Sequence, residues 1–288
     1  MLELLFLAVF WSWVFTAGLF LRNTHLPRLP ITTTPASLNL PFEAVRFPAT
    51  DGVQLAGWKI AGDPKRPWII FCHGLGTNRA DLLDLAAALF AAGYNSFLFD
   101  FRAHGESQGS ASSFGWLEQR DLKGALAFLG TQPDIPDRPY GVLGVSMGGA
   151  VVVMVAAEDE RLGAVAVDSI YTNLEESLAR HLKLLYRLPR VPFMLFIKTA
   201  YRLRFGAWPA QMSPLAAVPK LSPRALLVIH GEADIRMPTA NAQEFFRAAK
   251  ESKELWIVPH AGHLETIGAD PHAYTARLAR FFQTSLKP

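Results

Sequence analysis

Two apolar runs meet at one serine. Residues 140–145 are apolar throughout, residues 150–157 are apolar again, and between them stands Gly144-Val145-Ser146-Met147-Gly148. A buried strand that turns sharply into a helix lifts a single side chain clear of its neighbours. It needs small residues two places before and after that side chain, because a Cβ there would collide with the turn. Gly144 and Gly148 meet that need. By itself the pattern also fits a glycine-rich turn carrying a solvated serine, so the rest of the chain has to decide what it means.

The same alternation runs through most of the sequence. Short apolar segments at 68–72, 96–99, 140–145, 163–167, 225–229 and 254–258 read as strands buried on both faces. Helical patterns fall between them at 79–92, 116–129, 239–249 and 271–282. Strands at 44–47 and 53–60, joined across Asp51-Gly52, read as a leading hairpin. Strand-helix alternation with apolar strands predicts an α/β fold: a mostly parallel central sheet with helices on both faces. In such sheets, sites form where strands end at their C-terminal edge. Ser146 lies there, and so does the turn His73-Gly74-Leu75-Gly76.

A serine hydroxyl needs a neighbouring base, and that base needs a carboxylate to hold its tautomer. His263 follows the last strand and Asp234 follows the strand before it, so both open on the same sheet edge as Ser146. Asp168 and Glu232 compete as the carboxylate, and His260 competes as the base. An oxyanion hole requires two backbone N–H donors. Met147, at the start of the helix after the serine, and Leu75, in the turn after the 68–72 strand, are the candidates. His73 reads as a brace for that turn.

These segments resemble the α/β-hydrolase superfamily, in particular the branch of membrane-anchored α/β-hydrolase-domain proteins and serine-aminopeptidase-like lipases. The resemblance rests on 73–79 (HGLGTNR), 99–107 (FDFRAHGES), Gly144 to Gly149, 230–234 (HGEAD) with Pro238, and Gly262-His263. It covers residues 44–288 apart from an insertion at about 170–222. It implies Ser146 as nucleophile, Asp234 as acid and His263 as base, in the chain order of that superfamily. Where the related pattern often has glycine, this chain has Ala103. The reaction implied is cleavage of acyl esters, hydrophobic or lipid-like, through an acyl-serine intermediate. A serine aminopeptidase or amidase on the same residues is the alternative, and a catalytically silent membrane-bound scaffold is a second.

The insertion carries two helical patterns, 174–188 and 193–205, separated by Pro189 and Pro192. Strongly apolar and aromatic, the second reads with the first as a small helical lid, or as a surface helix packed on the body.

Residues 4–21 carry no charge and would span about 27 Å as a helix, enough for a bilayer core. Residues 1–22 therefore read as a single-pass transmembrane anchor, with a cleaved signal peptide or a core helix as rivals. Residues 23–43, rich in Pro and Thr, read as a tether to the domain at 44–288. Arg22, Arg28 and Arg46 follow the apolar stretch and none precedes it, which would place the catalytic domain in the cytoplasm. The expected partners are thus a small acyl substrate and the lipid bilayer, with the oligomeric state open.

Other chemistries find no support. One cysteine cannot build a thiolate zinc cluster, and there is no H-E-x-x-H, P-loop or complete dinucleotide fingerprint. The net charge of +3 comes without a basic run interleaved with aromatics, so no nucleic acid, metal or cofactor is expected.

Overall fold

The computed structural model describes residues 2–136 and 138–286. Eight strands form one sheet: β1 (Phe42–Pro48), β2 (Gln54–Ile60), β3 (Trp68–Cys72), β4 (Asn95–Phe99), β5 (Tyr140–Val145), β6 (Leu162–Asp168), β7 (Ala225–Gly231) and β8 (Lys253–Val258). Their order across the sheet is β1-β2-β4-β3-β5-β6-β7-β8. β1 and β2 pair antiparallel, as do β2 and β4, and every other pairing is parallel. The α/β sheet expected from the strand pattern is therefore present, with a hairpin at one edge.

Both faces are buried, and alternation along each strand divides the core in two. Trp68, Ile70 and Cys72 face one cluster with Phe97, Phe99 and Val142. Ile69 and Phe71 face the other with Leu98, Leu143 and Val145. A strand lined on both faces must be apolar at every position, which is why these segments show no alternation in the sequence. The helices that cover the sheet are α2 (Leu83–Ala91), α3 (Glu118–Leu129), α4 (Met147–Ala156), α8 (Thr239–Ala248) and α10 (Pro271–Ser285). A short helix, α9 (Thr266–Ala269), precedes α10.

Between β6 and β7 lie α5 (Leu174–Tyr186), α6 (Phe193–Phe205) and α7 (Pro214–Ala217). Asn173 caps α5 by accepting from the N–H groups of Glu175 and Glu176. Arg187, at φ 54°, turns the chain out of α5 before Pro189. The apolar stripe of α6 is not turned to the site. Met194, Ile197 and Tyr201 are buried in the core, and the Tyr201 hydroxyl donates to the Ser113 carbonyl.

The N-terminal stretch corrects an expectation. It forms a helix, α1 (Leu2–Thr24), but among the described residues no helix is long and apolar enough to cross a membrane. The single-pass topology, the bilayer as a partner and the cytoplasmic orientation argued from Arg22, Arg28 and Arg46 therefore have no support. The physical reason lies in what the helix packs against. Thr16, Ala17, Phe20 and Thr24 are buried, and Phe20 lies 5.9 Å from the Tyr201 ring and 6.2 Å from the Phe114 ring, centroid to centroid. One face of α1 is thus docked on α6 and the body. A run of apolar residues reports that water is avoided, without reporting what takes water's place.

Within residues 23–43, expected as a tether, Arg28 and Leu29 are bonded to the domain. The Arg28 guanidinium donates to the carbonyls of His104, Gly105, Ser107 and Gly109 at 2.6–3.0 Å. Asn78 Nδ2 donates to the Leu29 carbonyl at 3.1 Å.

Candidate active site

Ser146 sits at the junction of β5 and α4 with φ 52° and ψ −116°, a backbone conformation that L-residues seldom adopt. The two flanking glycines explain how the turn fits. A Cβ at Gly148 would lie 2.2 Å from the Cys72 carbonyl oxygen and 2.5 Å from that of His73. One at Gly144 would lie 2.6 Å from the Gly148 carbonyl oxygen. Only glycine lets α4 start this close to the end of β3, and that closeness sets the serine beside the turn that follows β3.

Around the serine the three sheet-edge residues meet. Ser146 Oγ is 3.1 Å from His263 Nε2, and His263 Nδ1 is 2.7 Å from Asp234 Oδ2. The loops after β7 and β8 thus bring a carboxylate and an imidazole into one hydrogen-bonded line with the hydroxyl at the β5–α4 turn. Asp234 is 4 % exposed. Its burial works to raise the pKa, but hydrogen bonds from His263 and from the Met237 N–H outweigh it and hold the carboxyl below its ordinary value. Its other oxygen, Oδ1, accepts from the N–H groups of Arg236 and Met237, both at 2.8 Å. A carboxylate fixed by two backbone donors can present its remaining oxygen to the imidazole in one orientation.

The rivals lie elsewhere. Asp168 is fully buried, and its carboxylate accepts from the hydroxyls of Ser169, Thr266 and Tyr274. Its backbone carbonyl accepts from the Ser146 N–H at 2.8 Å. Asp168 therefore ties the loop carrying His263 to β6. His260 is exposed, and Glu232 accepts from its backbone N–H.

Leu75 and Met147 line a cavity of about 210 Å³ together with Ser146 and His263. Met147 opens α4, so its N–H is among those of the first turn that have no partner within the helix. A Cβ added at Gly74 would lie 3.6 Å from Ser146 Cβ, which puts the 73–76 turn directly beside the serine. Two buried histidines brace this turn. His73 Nε2 accepts from the Phe101 N–H and its Nδ1 donates to the Gly74 carbonyl. Burial pushes the His73 pKa down to about 3, helped by the neighbouring His104 and Arg79, so the ring is neutral. His104 Nε2 accepts from the Gly76 N–H.

The 99–107 segment is part of this support. Asp100 is buried, ion-pairs with Arg79 and accepts from the N–H groups of Arg79 and Glu106. Arg79 also pairs with Glu106 and lies over the Trp58 ring. Ala103 sits at φ 62°, which accounts for the glycine in the related pattern.

A hydroxyl, an imidazole and a buried carboxylate in line, beside a tight turn and a helix start, are the parts required for acyl transfer. The profile of the Alpha/beta hydrolase family matches residues 69–278. The chain belongs to the alpha/beta hydrolase family. Among solved structures it is similar to the Pyrococcus furiosus esterase Pf2001, with a TM-score of 0.75 and 28 % identity, covering 91 % of this chain and 100 % of that one. Among curated proteins it resembles YqkD of Bacillus subtilis, 27 % identical over 237 residues that make up 82 % of this chain and 77 % of YqkD. It is likewise 28 % identical to YfhR of Escherichia coli K12 over 255 residues, 85 % of this chain and 82 % of YfhR.

This alpha/beta hydrolase is an enzyme, an esterase/lipase-like serine hydrolase. Membership in the family stands, whereas the membrane-anchored character of the resembled branch does not, because among the described residues no helix is long and apolar enough to cross a membrane. The reading as a catalytically silent scaffold falls to the enzyme assignment.

Most of the cavity wall was not named from the sequence, and four of its residues come from unexpected places. Asn23 and Leu26 come from the N-terminal segment, His181 from α5 and Arg236 from the loop after β7. Nothing in their spacing relates them to Ser146, since they meet only through the fold.

Proposed function

We propose that Ser146, His263 and Asp234 form the catalytic triad of a carboxylesterase acting on hydrophobic acyl esters, with Leu75 and Met147 supplying the oxyanion hole. Ser146 Oγ attacks the ester carbonyl carbon while His263 Nε2 takes its proton. The carbonyl oxygen, now an anion, receives the N–H groups of Leu75 and Met147, the latter aided by the positive end of α4. As the tetrahedral species collapses, the C–O bond to the alcohol breaks and His263 returns the proton to the departing oxygen. Water then attacks the acyl-Ser146 carbonyl, His263 accepts the water's proton, and the same proton reprotonates Ser146 as the acid leaves. Throughout, Asp234 holds His263 with Nδ1 protonated and stabilises the imidazolium as it forms.

The observation that carries this reading is the continuous hydrogen-bonded line from Ser146 Oγ at 3.1 Å through His263 to Asp234 at 2.7 Å. The aminopeptidase alternative needs an anion to hold a free amino terminus. No carboxylate lines the cavity among the described residues, and Arg236 does. A fluorophosphonate probe and a p-nitrophenyl ester series test the proposal. Wild type is expected to be labelled and to turn over the esters, and Ser146→Ala to lose both. Turnover unchanged in Ser146→Ala would overturn the nucleophile assignment.

A further inference from the structure

The cavity at Ser146 is lined in part by a segment remote from the catalytic loops in sequence. Asn23 and Leu26, at and just beyond the end of α1, line it together with α5, which contributes Leu178, His181 and Leu185. Leu26 reaches over the oxyanion turn, with its Cδ1 4.0 Å from where a Cβ at Gly76 would stand. This placement is secured on every side. Asn23 and the Tyr186 hydroxyl exchange hydrogen bonds at 2.9 and 3.1 Å, joining the end of α1 to the end of α5. The Ser112 N–H donates to the Thr24 carbonyl, and the Thr24 side chain is buried. Beyond Leu26, Arg28 donates to four carbonyls of the 104–109 loop, and the Leu29 carbonyl accepts from Asn78. A segment fixed at both ends cannot drift out of the way of a long substrate.

We infer that residues 23–26 form the end wall of the acyl site, and that Leu26 sets the length of acyl chain the enzyme accepts. This rests on the esterase reading above and adds a substrate class to it. A cavity of 150 Å³ accommodates benzene, so a non-hydrogen atom needs about 25 Å³ of such space. The ~210 Å³ at Ser146 therefore takes about eight non-hydrogen atoms, an acyl chain of six to eight carbons. Beyond that length the chain meets Leu26 and must either bend out to water or push aside a segment held by Arg28. The enzyme's substrates are thus medium-chain esters with an uncharged acyl end.

The test uses the full chain and p-nitrophenyl esters of 2 to 12 acyl carbons, comparing kcat/KM across the series. Wild type should rise to a maximum at about six to eight carbons and fall by 12. Leu26→Ala opens the wall and should move the maximum up by about two carbons. Each methylene brought out of water contributes about fourfold, so the ratio of 10-carbon to 6-carbon kcat/KM should rise about fifteenfold. Leu26→Trp should move the maximum down. Leu203→Ala, an exposed position on α6 away from the cavity, should leave the profile unchanged. A wild-type maximum at 12 carbons, or the same profile in both Leu26 variants with their Tm preserved, overturns the wall. Absence of turnover on every ester, with no fluorophosphonate labelling of Ser146, would instead sink the esterase reading on which the wall depends.

Discussion

Asp234→Asn isolates the tautomer argument, because the surroundings of this residue dictate how asparagine must sit. Asp234 Oδ1 accepts from the N–H groups of Arg236 and Met237, while Oδ2 faces His263 Nδ1 at 2.7 Å. Asparagine keeps its oxygen on the two backbone donors, since turning it round would set an NH₂ against two N–H groups. Its Nδ2 is therefore forced toward His263 and donates where the carboxylate accepted. The imidazole must then accept at Nδ1 and carry its proton on Nε2, facing Ser146 Oγ at 3.1 Å. In that tautomer it cannot take the serine proton.

The expected loss is about ten-thousandfold in kcat, or about 5.5 kcal/mol of transition-state stabilisation. Fold stability at neutral pH should change far less, because both backbone donors stay satisfied. The assay is single-turnover and steady-state hydrolysis of p-nitrophenyl hexanoate at pH 7.5, alongside Tm. Asp168→Asn is the matched comparison. That carboxylate serves three hydroxyls within the core, so its loss should lower Tm while reducing kcat by less than about a hundredfold. A loss below tenfold in Asp234→Asn with unchanged Tm would refute the reasoning, and a larger loss in Asp168→Asn would move the carboxylate role to β6.

Two further outcomes follow from the same packing. His73 is neutral in the fold with a pKa of about 3 against 6.5 in the unfolded chain. Its contribution to stability is therefore complete well above pH 6.5 and is lost progressively toward pH 3, with about 2 kcal/mol of it lost between pH 6.5 and 4.5. Denaturant titrations at those two pH values should show His73→Gln with a shallower acid dependence than wild type, and equal slopes would contradict the neutral buried ring. Gly148→Ala drives a Cβ to 2.2 Å from a backbone oxygen of β3, a clash no rotamer can relieve. About 3 kcal/mol of stability should be lost, with a Tm drop of about 6 °C and loss of turnover, whereas a Tm within 1 °C of wild type would mean the elbow is looser than its geometry implies.

The sheet and the three residues on its edge were legible because each leaves a local mark. A strand buried on both faces is apolar at every position, and loops at its C-terminal end keep the polar residues that chemistry needs. Chain order then supplied the order of serine, acid and base. Even Ala103 could be noticed as a departure, though only its φ of 62° shows why a glycine suits the place. The lid was legible only in part. The apolar, aromatic α6 looked the better cover for a site, yet its Met194, Ile197 and Tyr201 are core, and α5 lines the cavity instead. Periodicity reports that a helix has an apolar face, and both a core and a pocket satisfy it.

The N-terminal helix failed for a related reason with a larger consequence. Hydropathy sums side chains and is blind to partners, so a helix docked through Phe20 onto Phe114 and Tyr201 counts the same as one in lipid. Reading the segment as an anchor also made the proline-rich stretch behind it a tether, and a tether has no reason to touch substrate. In the fold the relation is reversed: because α1 is docked, the residues at its end are delivered to a fixed place, and that place is the wall of the cavity at Ser146. Arg28, counted in the sequence for its charge alone, spends that charge on four carbonyls of the loop whose His104 steadies the oxyanion turn. The same loop therefore holds the segment that bounds the substrate and the turn that would receive the oxyanion. Changes at Arg28 should consequently act on acyl-chain selectivity and on turnover of every ester together, whereas changes at Leu26 should act chiefly on selectivity.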